Sequence, residues 1–174
     1  MKSRRICLFG GPGCGKSTTA AWLFAQLKLK HIEVELVQEY VKTLAFEGRK
    51  PESWDQLWLL SKQMRREDVM LRNGVDVIVT DSPLLLSTCY AMKYNCPGAK
   101  HLVAIAEEFD NTYQPLNIFI NRGEKAYSQK GRYQSEAEAR EMDGVIQGVL
   151  ANKPYHTIKF NDLDSFLKLT LENI

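Results

Sequence analysis

Apolar positions follow two rhythms along this chain. Short, nearly unbroken apolar runs alternate with longer stretches in which apolar residues recur every three or four positions. The first rhythm predicts strands buried on both faces, and the second predicts amphipathic helices. Strands are expected at 4–9, 33–37, 75–81, 116–121 and 156–160. Helices are expected at 16–29, 39–47, behind Pro83, at 100–111, at 135–150 and at the end of the chain. A further long helix is expected to start at a Ser53 cap and to end near Asn73-Gly74. Gly48 with Pro51, and Pro97-Gly98, punctuate the pattern. Residues 122–133 are polar, basic and glycine-containing, and read as a mobile loop.

Strands that alternate with helices predict an α/β fold. Its five-stranded parallel sheet is covered on both faces, giving three layers. Ligands of such sheets bind beyond the carboxyl ends of the strands. The residues that follow each strand are therefore the ones to inspect.

The first strand runs into Gly10-x-x-x-x-Gly15-Lys16-Ser17, and a helix follows at once. That spacing matches a phosphate-binding loop in its proper strand–helix setting. Main-chain N–H groups converge on a β-phosphate only where side chains are absent and φ is unusual. The helix N-terminus adds a partial positive charge. Gly11, Pro12, Gly13, Cys14, Gly15, Lys16, Ser17 and Thr18 are thus the expected cradle for ATP. Lys16 would reach the β- and γ-phosphates, and the Ser17 hydroxyl would ligate Mg²⁺.

Other strand ends carry further candidates. Asp81 closes strand three and would either hold the Mg²⁺ or cap the helix behind Pro83. Glu39 follows strand two and would either take a proton from an attacking hydroxyl or cap the next helix. Arg122 after strand four and Arg132 in the loop beyond would stabilise charge on a transferring phosphate, or lie solvated with Lys125 and Lys130.

The long helix carries Trp54, Trp58, Gln63, Arg65 and Arg66 and is a candidate for the acceptor site; its tryptophans fall four residues apart, a spacing met more often in a core than in a stacking platform. Arg65 and Arg66 read as surface ion-pair residues or acceptor contacts, and Tyr40 and Phe46 as packing or base-stacking residues. Asn161 and Asp162 follow strand five, where adenine often sits in such folds, and read rather as a cap for the last helix. His31, His101 and His156 have no ligand spacing.

Composition narrows the setting only slightly. The chain of 174 residues suits one domain, 1–174, with 122–134 as a small lid. Net charge is +2, which fits anionic small molecules and neither demands nor excludes nucleic acid. Cys7, Cys14, Cys89 and Cys96 form no CxxC pair, and scattered thiols suit a reducing compartment. The first apolar run is too short for a secretion signal, and none is long enough for a membrane span. The expectation is a cytoplasmic protein without a membrane partner.

Taken together, GGPGCGKST, Glu39-Tyr40, TDSPL and SQKGRYQSEAEAR resemble the P-loop kinases. The likeness covers almost the whole chain. It is nearest to the nicotinamide riboside kinase domain of the bacterial NAD regulator and its phage-encoded relatives in nucleoside, nucleotide and DNA-base metabolism. The resemblance implies a P-loop NTPase αβα sandwich, ATP and Mg²⁺ held by Lys16 and Ser17, Asp81 and Glu39 at metal and acceptor positions, and Arg132 in the lid. Gln38 departs from the pattern, which tends to put arginine before the strand-two acid.

Three functions compete. The first is a phosphotransferase acting on a nucleoside, nucleotide or modified base. The second is a kinase acting on DNA, at a 5′ hydroxyl or a hydroxymethylated base. The third is an NTP-hydrolysing switch or ATPase.

Overall fold

The computed structural model describes residues 4–123, 127–128 and 133–174. Its strands are β1 (Arg5–Phe9), β2 (Val34–Val37), β3 (Val77–Thr80), β4 (Pro115–Asn121) and β5 (His156–Lys159). The helices are α1 (Lys16–Leu29), α2 (Val41–Phe46), α3 (Asp55–Arg72), α4 (Leu84–Lys93), α5 (Ala99–Tyr113), α6 (Glu136–Leu150) and α7 (Leu163–Asn173). All strand pairs are parallel, in the order β2-β3-β1-β4-β5.

Every residue of β1 is buried, because the sheet is covered on both sides. Successive side chains of a strand point to opposite faces, so β1 feeds two cores. Ile6 and Leu8 join Leu23 and Leu27 of α1 and Phe166 of α7. Cys7 and Phe9 join Leu84 and Leu85 of α4 and Met142 and Ile146 of α6. Each fully buried side chain of this size contributes about 1.5–3 kcal/mol relative to exposure. The edge strand β5 buries only Ile158.

Register brings the functional ends level. Cys7 pairs with Thr80, and Val37 pairs with the same Thr80. The residues just past β1, β2 and β3 therefore open onto one crevice.

At its other end β1 holds a buried charge. The Arg5 guanidinium donates from Nε and Nη2 to Glu67 Oε2 at 2.9 and 2.7 Å, and from Nη1 to Asp110 Oδ1 at 2.6 Å. It also lies 4.7 Å from the centre of the Phe109 ring. Burial alone would lower its pKa; the surrounding anionic groups outweigh burial and keep it charged.

Several boundaries differ from the sequence reading. Ser53 does not cap α3: it has a φ of 45°, and Trp54 occupies the cap position without a side-chain hydrogen bond. The turn is closed instead by Asp55, whose carboxylate accepts from the Glu52 N–H at 2.9 Å. α2 begins two residues after Glu39, which leaves Glu39 in the connection from β2. Trp54 and Trp58 are not core residues, being 59% and 38% exposed. No helix of the described residues is long and apolar enough to cross a membrane.

Candidate functional site

The loop between β1 and α1 takes the backbone that its glycines allow. Gly10, Gly13 and Gly15 have φ values of 138°, 78° and 107°. Two glycines are also required by close neighbours. A Cβ on Gly15 would lie 2.1 Å from the Phe160 ring, and one on Gly11 would lie 2.2 Å from the Ala139 carbonyl oxygen. Gly15 is the N-cap of α1, whose first turn holds no acid, so its positive end is unopposed locally. The Lys16 ammonium arches back to donate to the Gly10 and Gly11 carbonyls at 2.6 and 3.2 Å.

Beneath the loop lies a tether that the sequence did not reveal. Asp143 of α6 accepts the Gly11 N–H on Oδ1 at 2.6 Å and the Arg122 Nε–H on Oδ2 at 2.7 Å. Arg122 also donates to the Pro12 carbonyl at 3.1 Å and the Ala139 carbonyl at 3.0 Å. Its pKa rises: burial works against the charge, and the Asp143 hydrogen bond and charge outweigh it. Sequence reasoning set Arg122 facing the transferring phosphate or solvent. The structure spends it on the underside of the loop, because an acid and two carbonyls converge there.

Above the loop opens a cavity of about 810 Å³. Pro12, Gly13, Gly15, Lys16, Ser17 and Thr18 of the loop line it. Gly11 and Cys14 do not; the first is turned to Asp143 and the second is buried. Tyr40, Phe46, Tyr90, Tyr94 and Tyr133, and Gln56, Leu59 and Gln63 of α3, line the same cavity. Such a volume suits a small organic ligand in addition to a phosphate chain.

Glu39 lines this cavity; Asp81 is buried and not among the lining residues. Asp81 Oδ1 accepts the Glu39 main-chain N–H at 2.8 Å, joining the ends of β3 and β2. The following residue, Ser82, lines the cavity, and its N–H donates to Thr80 Oγ1 at 3.3 Å. Burial pushes the Tyr90 phenol well above its ordinary pKa, and the negative charge of Glu39 adds to the shift. The same two causes, in the same order, raise Tyr133. The charge of Glu39 is thus felt by two phenols of the cavity wall.

An Mg²⁺ held between protein and phosphate needs few protein oxygens. Ser17 in the cavity wall and the carboxylate of Asp81, bonded to the main chain of Glu39, supply that donor type. The described residues contain no cluster of three His, Cys, Asp or Glu that would form a closed metal cage.

The remaining candidates fall in different places. Tyr40 meets Trp58 edge-on at 5.1 Å between ring centres, and the Arg66 guanidinium lies 4.8 Å from its ring. Arg66 also donates to the Gln38 carbonyl at 3.1 Å, so it braces the β2–α2 connection rather than pairing on the surface. Arg65 is not among the cavity residues. Asp162 occupies the cap position of α7 without a side-chain capping bond. Ser135 and Glu138 form a full capping box on α6, and Glu138 reaches the cavity wall. Arg132, Lys125 and Lys130, and most of the expected lid, lie outside the described residues.

Comparison with curated proteins gives no match. The family described as AAA domain matches residues 5–165, nearly the whole chain and all of the site described above. The chain belongs to that family, and so to the P-loop NTPases.

Proposed function

We propose that this P-loop NTPase is an ATP- and Mg²⁺-dependent phosphotransferase. Its acceptor is a hydroxyl or phosphate of a nucleoside, nucleotide or modified base. The observation that carries this reading is the continuity of the cavity. One space of about 810 Å³ is lined by the phosphate loop, by Glu39 and by Tyr40, Tyr90, Tyr94 and Tyr133. A hydrolase needs room there for water alone; a transferase needs room for a second organic substrate beside the γ-phosphate.

In this reading the loop amides and Lys16 bind and orient the polyphosphate. The acceptor oxygen attacks phosphorus in line, a P–O bond forms, and the bond to the ADP oxygen breaks. Glu39 takes the proton released by the attacking hydroxyl. Mg²⁺, held by Ser17 and Asp81, would neutralise charge on the β- and γ-phosphates. Arg122 and Asp143 act indirectly, by fixing the loop from below.

The test is transfer of label from γ-labelled ATP, with Mg²⁺, to a panel of nucleosides, nucleotides and hydroxymethylated DNA. Labelled product that depends on the acceptor supports the reading. Family membership favours a second reading, an NTP-hydrolysing ATPase. Phosphate release unchanged by every acceptor in the panel would establish that reading in place of the first.

A further inference from the structure

Gln63 sits midway along α3, is 2% exposed, and lines the cavity with Gln56 and Leu59 of the same helix. Its Nε2 donates to Glu67 Oε1 at 3.5 Å and to Thr80 Oγ1 at 3.4 Å. Glu67 is engaged by Arg5 through its other oxygen, so it presents an acceptor to Gln63 and sets which way the amide faces. With both amide hydrogens turned to the core, the carbonyl end remains. Gln63 Oε1 is buried and has no hydrogen-bond partner. An unmet buried acceptor costs about 1–3 kcal/mol. The adjoining cavity is where a donor can arrive.

The walls define that donor further. Tyr40, Phe46, Tyr90, Tyr94 and Tyr133 line the cavity and give it an aromatic surface that suits a planar ring. An acceptor-only ligand edge would repel Oε1, and an aliphatic one would leave it unmet. A flat ring with N–H groups on its edge meets both demands. We propose that Gln63 selects the phosphoryl acceptor, its Oε1 receiving an N–H hydrogen bond from a nucleobase seated among the cavity tyrosines. The inference rests on the phosphotransferase reading for why an acceptor enters this space. The base can belong to a free nucleoside or nucleotide, or to a DNA strand from which it is turned out.

The experiment measures binding without ATP, by calorimetry on the full chain. The probes are uridine, cytidine, adenosine and guanosine, their counterparts methylated at the edge nitrogens, and single-stranded DNA hexamers with and without those methyl groups. At least one parent should bind about tenfold or more tighter than its methylated counterpart, the difference expected for one hydrogen bond. Gln63→Met should weaken the parent by a similar factor and leave the methylated form unchanged. Should that variant melt early, the ligand series on the unaltered protein stands by itself.

Binding of nucleosides identifies a small acceptor. Binding of hexamers alone, weakening steeply with salt, identifies a base within a strand. Parent and methylated probes that bind within about threefold of one another overturn the proposal, as does binding of none. Discrimination by a protein that transfers no phosphate would keep the role of Gln63 and remove the kinase. Transfer without discrimination would do the reverse.

Discussion

The side chain of Asp81 holds the main chain of Glu39. The bond is 2.8 Å, from the Glu39 N–H to Asp81 Oδ1, and it links two residues 42 positions apart. The two acids proposed for metal and base are therefore one mechanical unit: the position of Glu39 depends on Asp81, while the carboxylate of Glu39 can be changed without breaking the link.

That asymmetry separates two substitutions at Asp81. Asp81→Asn retains an oxygen for the Glu39 N–H and loses the negative charge. Asp81→Ala loses both. With a metal role, both variants lose about 10²-fold or more in transfer rate, the scale of removing one electrostatic contributor. With a purely structural role, Asp81→Asn keeps nearly full activity. Transfer rates across a magnesium titration distinguish the cases.

Glu39→Gln preserves the main-chain bond to Asp81 and the size of the side chain. Nucleotide affinity should hold, and turnover should fall by about 10²-fold or more, as expected for loss of a general base. Single-turnover transfer, read beside ATP-analogue binding, measures both quantities. Full turnover in this variant would leave Glu39 as a residue of the β2–α2 connection.

Lys16→Ala removes the one ammonium inside the loop. Transfer should drop by about 10²–10³-fold or more, with little change in melting temperature, since among the described residues Lys16 donates to loop carbonyls and lies near the Cys14 sulfur. Calorimetry with an ATP analogue should show weaker binding in step.

Asp143→Ala tests the tether. It leaves the Gly11 N–H and the Arg122 guanidinium without their acid in a largely buried place. Breaking such a pair costs about 3–5 kcal/mol when fully buried, and the partial exposure here sets the expected loss nearer 2–3 kcal/mol. Denaturant unfolding gives the stability change. Nucleotide affinity should fall too, although Asp143 is not among the cavity residues. Unchanged affinity would mean that the loop keeps its shape without the tether.

The phosphate loop was legible because its chemistry is local. Gly10 to Ser17 must be glycine-rich and contiguous to turn amides inward, and that requirement is written in eight adjacent positions. The strands were legible because a parallel sheet covered on both faces demands unbroken apolar runs, as in 6–9 and 77–79. Asp143 was invisible for the opposite reason. It lies in the helical pattern of α6, an acid among other acids, and only the fold brings it beneath Gly11. Gln63 stood out only as one polar residue on a helix read as an acceptor-site candidate, since an amide at a buried position looks like any other until its partners are seen. Trp54 and Trp58 misled: their spacing predicts a buried face, but α3 turns that stripe outward, where Trp54 leans over Gly98 and Trp58 braces Tyr40. Ser53 misled because this good capping residue itself takes the φ > 0 position of the turn, one step before the cap.

The ring of Phe160, set against Gly15, has a consequence for how the molecule comes into being. Residues 10–17 leave the ribosome long before Phe160, the neighbour that crowds Gly15. A nascent chain halted before Phe160 would carry the whole glycine motif without that support, so competence to hold a nucleotide should be acquired only once Phe160 and the helix that follows it have docked.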